Sequence, residues 1–261
     1  MGINIVCLVK ATLPTEAKIA LDAKGRAADE RAKPIINPYD EFAVEEAVKL
    51  RESGAADKAT LLCVGSAKAA LEPIQRGLAM GADDAILVDT GDRHPLELDG
   101  AATAAAIAAV LKTIPFDLVL CGRVAVDTGA AEVPGRVAEL LGLPLAQVVN
   151  KLDVAPGRAT AHREADGRTE VVELALPAIA TADKGLNKPR YPNLPSIMKA
   201  KKKPVDTRPL EAVLGGAPQA TRRVVANELP PGKGPVRMVA GAPAEAARAL
   251  VGALRDEAKV L

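Results

Sequence analysis

The residues of this chain that could do chemistry are few and far apart. Cys7, Cys63 and Cys121 each lie inside an apolar run: INIVCLVK, ATLLCVG and DLVLCG. Their odd number and wide spacing give neither a disulfide framework nor a CxxC pair, so they read as small buried hydrophobes in a reducing compartment. His94 and His162 lack metal-ligand spacing, and no metal site is expected. Neither GxGxxG nor a P-loop occurs. One junction remains, LVLCGRVAVDTGAAEVPGRVAELLG. An apolar strand over 116–121 ends at Gly122 and meets a loop of small residues. A helix is predicted from Glu132 or Val133, with Pro134 in its first turn, where a missing N–H costs little. A helix start beyond the carboxyl end of a parallel strand offers N–H groups to an anion, and small residues let backbone approach a phosphate. Taken alone, the junction is also what a tight turn looks like. Two more loops approach the same edge. In IINPYDE, Asn37 is either a polar contact to a ribose or base or a plain turn residue. In Val64-Gly65-Ser66, Ser66 reads as a helix cap.

The elements that must position these loops follow from periodicity. Apolar runs at 3–10, 59–65, 84–89 and 116–122 are continuous rather than alternating, as for strands covered on both faces. Helical patterns lie between them: DEFAVEEAVKLRESG, then SAKAALEPIQRGLAMG with Pro73 marking a late start or a kink, then the alanine-rich LDGAATAAAIAAVLKTI. The alternation predicts an α/β fold, a doubly wound and mostly parallel sheet, over residues 1–183. Within it, residues 145–183 read as strands joined by turns at Pro156-Gly157 and Asp166-Gly167. Residues 184–235 are rich in proline and show no long element, so an extended arm is expected there. Residues 236–261 read as a terminal helical tail.

Composition excludes several classes. Lys and Arg number 34 against 33 Asp and Glu, and a near-neutral chain is not a dedicated nucleic-acid binder. Aromatics are only 2%, which leaves almost nothing for bases to stack on. No secretory signal or membrane span is visible, and a cytoplasmic protein is expected. The arm carries RYPNLPSIMKAKKKP, where apolar Leu194 and Ile197 sit among prolines and run into Lys199, Lys201, Lys202 and Lys203. Apolar residues on such an arm are expected to be buried by a partner.

VCLVK, INPYDEFAVEEAVKL, GLAMGADDAILVD, FDLVLCG, LPAIATAD and LNKPRYPNLPSIMKAKKKP, in this order over about residues 3–204, resemble the β subunit of electron transfer flavoproteins. The resemblance implies an adenine-nucleotide-binding α/β fold and a heterodimer with an α subunit that carries the redox-active FAD. This chain would bind AMP, or in a bifurcating branch a second FAD, with NADH as donor. The implied nucleotide residues are Leu8, Asn37, Pro38, Tyr39, Asp40, Val64, Gly122, Arg123, Val124, Ala125, Val126, Asp127, Thr128, Gly129, Ala130, Ala131, Glu132 and Val133. PNLPSIMK matches the recognition loop for acyl-CoA dehydrogenase-type flavoenzymes, with Leu194 as anchor beside Pro195, Ile197 and Met198. Glu164 matches a residue facing the flavin domain of α. Burying one Leu side chain contributes about 1.5–3 kcal/mol, enough for a transient contact.

Some positions depart from the pattern. Glu132 stands where Gln is usual, Pro134 where Gly is usual, Gly185 where the AMP branch has Arg, and Lys188 where Glu is usual. A carboxylate about 4–5 Å from a phosphate would cost roughly 3–4 kcal/mol at an effective dielectric of 20. Glu132 must therefore point away, or the nucleotide is held differently, or the site is weakened. Asp183 and the intact recognition loop favour AMP, whereas Ala131 and Val133 favour a flavin. Two other classes remain open on the residues alone: an adenine-nucleotide hydrolase or ligase of similar architecture, and a nucleotide-binding stress-type module. The first lacks catalytic groups at the nucleotide edge, and the second would not need the arm.

Overall fold

Uninterrupted apolar runs become strands with helices on both sides. The structure, a computed structural model, describes residues 2–22, 27, 28, 32–93, 98–222 and 224–261; His94 lies outside them. In chain order the elements are β1 (Ile3–Val9), β2 (Ala11–Thr12), β3 (Ala20–Leu21), β4 (Ala27–Ala28), β5 (Ile35–Ile36), α1 (Pro38–Glu52), β6 (Ala56–Gly65), α2 (Ala67–Met80), β7 (Asp84–Asp89), α3 (Gly100–Leu111), β8 (Leu118–Gly122), α4 (Val133–Leu141), β9 (Leu145–Ala155), β10 (Arg158–Ala165), β11 (Arg168–Ala175), β12 (Ala178–Ala182), α5 (Leu194–Ala200), β13 (Val205–Pro209), α6 (Leu210–Leu214) and α7 (Pro243–Gly252). The first compact unit closes at Asn227, and the second runs Glu228–Leu261.

The main sheet has nine strands in the order β11-β10-β9-β12-β8-β1-β6-β7-β13. Pairing is parallel from β9 through β13, while β9, β10 and β11 form an antiparallel meander at one end. Alternating side chains of the central strands feed two cores. Ile5 and Cys7 of β1, Leu61 and Cys63 of β6, and Leu120 of β8 face α1 and α2. Val6, Leu8, Leu62, Val119 and Cys121 face α3, α4 and α6. The doubly wound reading therefore holds.

Local signals fix the helix ends. Asp99 caps α3 by accepting from the Ala102 N–H at 2.9 Å. Glycine in the left-handed region closes α4 at Gly142. α2 starts at Ala67 and continues through Pro73 to Met80, so the proline does not delay its start. Pro73 is buried with Ile74 and Leu78 against the sheet, and that packing outweighs the lost backbone bond.

The stretch after residue 184 is organised differently from an extended arm. β13 adds to the sheet as an edge strand beside β7. Its sequence, VDTRP between prolines, hides it: Pro is tolerated on an edge, and three of its five residues face solvent. Two compact turns of helix, α5 and α6, flank it. In the second unit every residue of α7 is at least partly exposed, and Arg237 ion-pairs with Glu257 at 2.6 Å.

Candidate functional site

β1, β6 and β7 build outward in one direction, and the chain then crosses by α3 to β8 on the other side of β1. The order reverses between β1 and β8, and in an open α/β sheet ligands enter the crevice beyond the strand ends at such a point. A cavity of about 500 Å³ lies there, within the ordinary range for small-molecule sites. Leu8, Leu62, Val64, Leu98 and Ile107 give it apolar walls, while Lys10, Thr103, Arg123 and Arg222 bring polar groups.

Asp40, in the first turn of α1, ties the loops together. One carboxylate oxygen accepts from the Gly122 N–H (3.0 Å) and from Asn37 Nδ2 (2.9 Å); the other accepts from the Lys10 N–H (2.8 Å). Thus one buried side chain joins the ends of β1 and β8. Burial pushes its carboxyl up to about 7, against these donors and the Lys10 charge. The close approach requires Gly122: a Cβ there would lie 2.5 Å from Asp40 Oδ1 and 2.6 Å from Tyr39 Cβ. Asn37, 1% exposed, also donates to the Val124 carbonyl (2.9 Å) and accepts from the Val126 N–H (3.1 Å). Its amide is thereby occupied in shaping the 124–126 loop.

The rest of the loop is braced by charge. Lys10 ion-pairs with Asp127 at 2.8 Å. Arg123 lies over the Tyr39 ring, donates to its hydroxyl (3.3 Å) and ion-pairs with Asp183 (2.8 Å). Ala131 adopts φ 52°, a left-handed conformation costing a β-carbon-bearing residue roughly 1–2 kcal/mol. Glu132 does not carry an open charge. Its carboxylate pairs with Arg136 one turn on (3.0 Å) and with Arg222 from a distant segment, and it lies over Gly100, where a Cβ would collide with it.

Of the residues expected at a nucleotide, Leu8, Asn37, Asp40, Val64, Gly122, Arg123, Val124, Ala125, Thr128, Ala130, Ala131, Glu132 and Val133 line the cavity. Pro38, Tyr39, Val126, Asp127 and Gly129 do not line it; they start α1, brace Arg123 and shape the loop. Sequence reasoning missed Lys10, Leu98, Asp99, Thr103, Ile107 and Arg222. Lys10 and the α3 residues had a signal, since every strand end on this edge must contribute. Arg222, a hundred residues from its neighbours, had none. The three thiols are free and buried, and burial with the Asp40 charge pushes Cys63 up to about 12 and the other two far above the usual range.

The segment expected to recognise a partner lies apart from the cavity, since none of its residues lines it. Arg190 donates to Glu45 (2.9 and 3.0 Å) and to Glu52 (2.6 and 2.8 Å), gripping α1 with its whole fork. Asn187 donates to the Phe42 carbonyl and to Glu46, both at 2.9 Å. α5 then starts at Asn193, whose side chain accepts from the Ser196 N–H (2.9 Å). It turns Leu194 (71% exposed) and Met198 (56% exposed) outward, with Pro195 and Ile197 also exposed, and buries only Ala200. Lys203 donates to the Leu78 and Ala82 carbonyls at the end of α2. Glu164 lies away from both sites on β10, exposed, near Asn150. His162 is on the same strand, 3.9 Å from Asp153.

Comparison with known proteins decides the family. The electron transfer flavoprotein domain matches residues 25–213. The electron transfer flavoprotein subunit beta of Bacillus subtilis is 40% identical over 260 residues, covering 99% of this chain and all of the relative. The chain belongs to the electron transfer flavoprotein β-subunit family. The protein of the same description from Syntrophomonas wolfei is 42% identical over 233 residues, 89% of this chain and 88% of its own length. That from Bradyrhizobium diazoefficiens is 35% identical over 263 residues. Membership of this flavin-associated family of electron carriers displaces the hydrolase, ligase and stress-module readings. Among the described residues, no helix of this electron transfer flavoprotein β chain is long and apolar enough to cross a membrane.

Proposed function

We propose that this chain is the β half of a heterodimeric electron transfer flavoprotein, acting in the cytoplasm, with AMP in the cavity between β1 and β8 and the redox-active FAD held mainly by the α partner. The observation that carries this reading is the cavity itself, at the strand-order reversal, with apolar walls for an adenine ring and cationic groups at its mouth. The residues fit such a ligand. Glu132, the one side chain that argued against a phosphate, is neutralised by Arg136 and Arg222. AMP stabilises the fold and does no chemistry, while flavin supplies one- and two-electron steps when bound at the partner. The exposed apolar face of α5, anchored by Leu194, docks acyl-CoA dehydrogenase-type flavoenzymes that deliver the electrons.

The heterodimer, purified after co-expression with its α partner and treated with acid, is expected to release one FAD and one AMP. Two flavins and no AMP would replace the simple carrier by the bifurcating form, with FAD in the same cavity. Release of no adenine compound beyond one FAD would overturn the cavity assignment.

A further inference from the structure

A segment from beyond the main sheet closes the cavity. Thr221 donates to Asp99 through both its N–H (2.6 Å) and its hydroxyl (2.8 Å), and the Arg222 N–H donates to the same carboxylate oxygen (2.9 Å). The other oxygen of Asp99 caps α3. Residues some 120 positions apart are thus latched together at the start of α3, beside Gly100. The latch has a consequence for what lies beneath: Arg222 and Val224 become part of the cavity lining, and the Arg222 guanidinium reaches Glu132.

We propose that Arg222 is a ligand for the 5′-phosphate of the adenosine compound in this cavity, brought there by a strap that Asp99 latches shut. This rests on reading the cavity as an adenosine-phosphate site. Electrostatics favours the assignment. Glu132 and Arg136 alone form a neutral pair, so the mouth beside the 128–131 loop would have no net attraction for an anion. Adding Arg222 sets two guanidiniums against the two ionised carboxylates there, Glu132 and Asp99, so the cluster is neutral instead of net negative. A guanidinium has five donors, and pairing with Glu132 leaves others for phosphate oxygens. Its side chain is 61% exposed and therefore free to reorient toward a ligand. Arg222 also accounts for Glu132, since the strap supplies the charge that lets a carboxylate stand at a phosphate site.

The test uses the α–β heterodimer stripped of nucleotide and titrated with AMP, with FAD as a second arm because the two share the adenosine phosphate. Arg222→Ala and Arg222→Gln should each weaken binding about tenfold or more, the scale of one charge-assisted hydrogen bond pair. Adding Glu132→Gln to Arg222→Ala should recover part of the loss, because one carboxylate is then removed from beside the phosphate. Wild-type affinity in both Arg222 variants would overturn the proposal while leaving the cavity assignment intact. No recovery in the double variant would overturn the charge account of the strap. Failure of the wild-type heterodimer to bind either compound would instead overturn the cavity assignment on which the proposal rests.

Discussion

Two side chains, Asp40 and Asp99, hold the site in shape by accepting hydrogen bonds from segments far apart in sequence. The tolerance around Asp40 is small. Gly122→Ala would drive a methyl group into Asp40 and the Tyr39 backbone, which neither can avoid without moving a loop. Overpacking of this kind typically costs about 1–3 kcal/mol. Chemical denaturation should show a loss in that range, together with loss of nucleotide. Asp99 carries a pH signature. Burial opposes its charge, but hydrogen bonds from Ala102, Thr221 and Arg222 outweigh it and hold the carboxyl down to about 2. Because its folded-state pKa is depressed, the stability it adds is fully present above the unfolded value near 4 and is lost as pH falls toward 2. The stability gap between wild type and Asp99→Asn should therefore be flat from pH 7 to about pH 4 and narrow below it. A gap that stays constant to pH 2.5 would rule out the strap bonds as its source.

At the scale of elements, α5, the helix proposed to meet a partner, is held rather than loose. α5 is only seven residues long and would not persist alone in water. Arg190 and Asn187 fasten its approach to α1, and Arg190 hydrogen bonds hold Glu52 below the usual carboxylate range. Glu45 is 5% exposed in its side chain, so removing its cation leaves a buried charge. Breaking a fully buried pair costs 3–5 kcal/mol; with Arg190 about one-third exposed, Arg190→Ala should cost about 2 kcal/mol. It should also speed amide exchange across 184–200. Leu194→Ala, by contrast, should leave stability unchanged and slow electron delivery from the dehydrogenase, read by stopped-flow flavin absorbance. Equal effects of the two variants on stability would contradict a clamp. Much of this was legible in the sequence. Continuous apolar runs gave the parallel core, and the strand end at Gly122 gave the loop. The edge strand β13 was not, because its prolines and exposed polar residues carry no apolar pattern. The strap was not, because a contact between Asp99 and Thr221 leaves no periodicity to read.

At the scale of the molecule, the fold separates two tasks and joins them through α1. Its N-terminus shapes the cavity through Asn37 and Asp40, while Glu45, Glu46 and Glu52 hold the segment leading into α5. On the proposed reading, the sheet edge stores a nucleotide and the exposed α5 face meets a partner. The central claim is the position of that nucleotide, at the reversal of strand order and beneath the strap. Hydrogen exchange of the heterodimer with and without AMP tests it most directly. Protection on AMP binding is expected to be confined to residues 8–10, 122–133 and the segment carrying Thr221 and Arg222. Protection elsewhere on the chain, with these three segments unchanged, would contradict it.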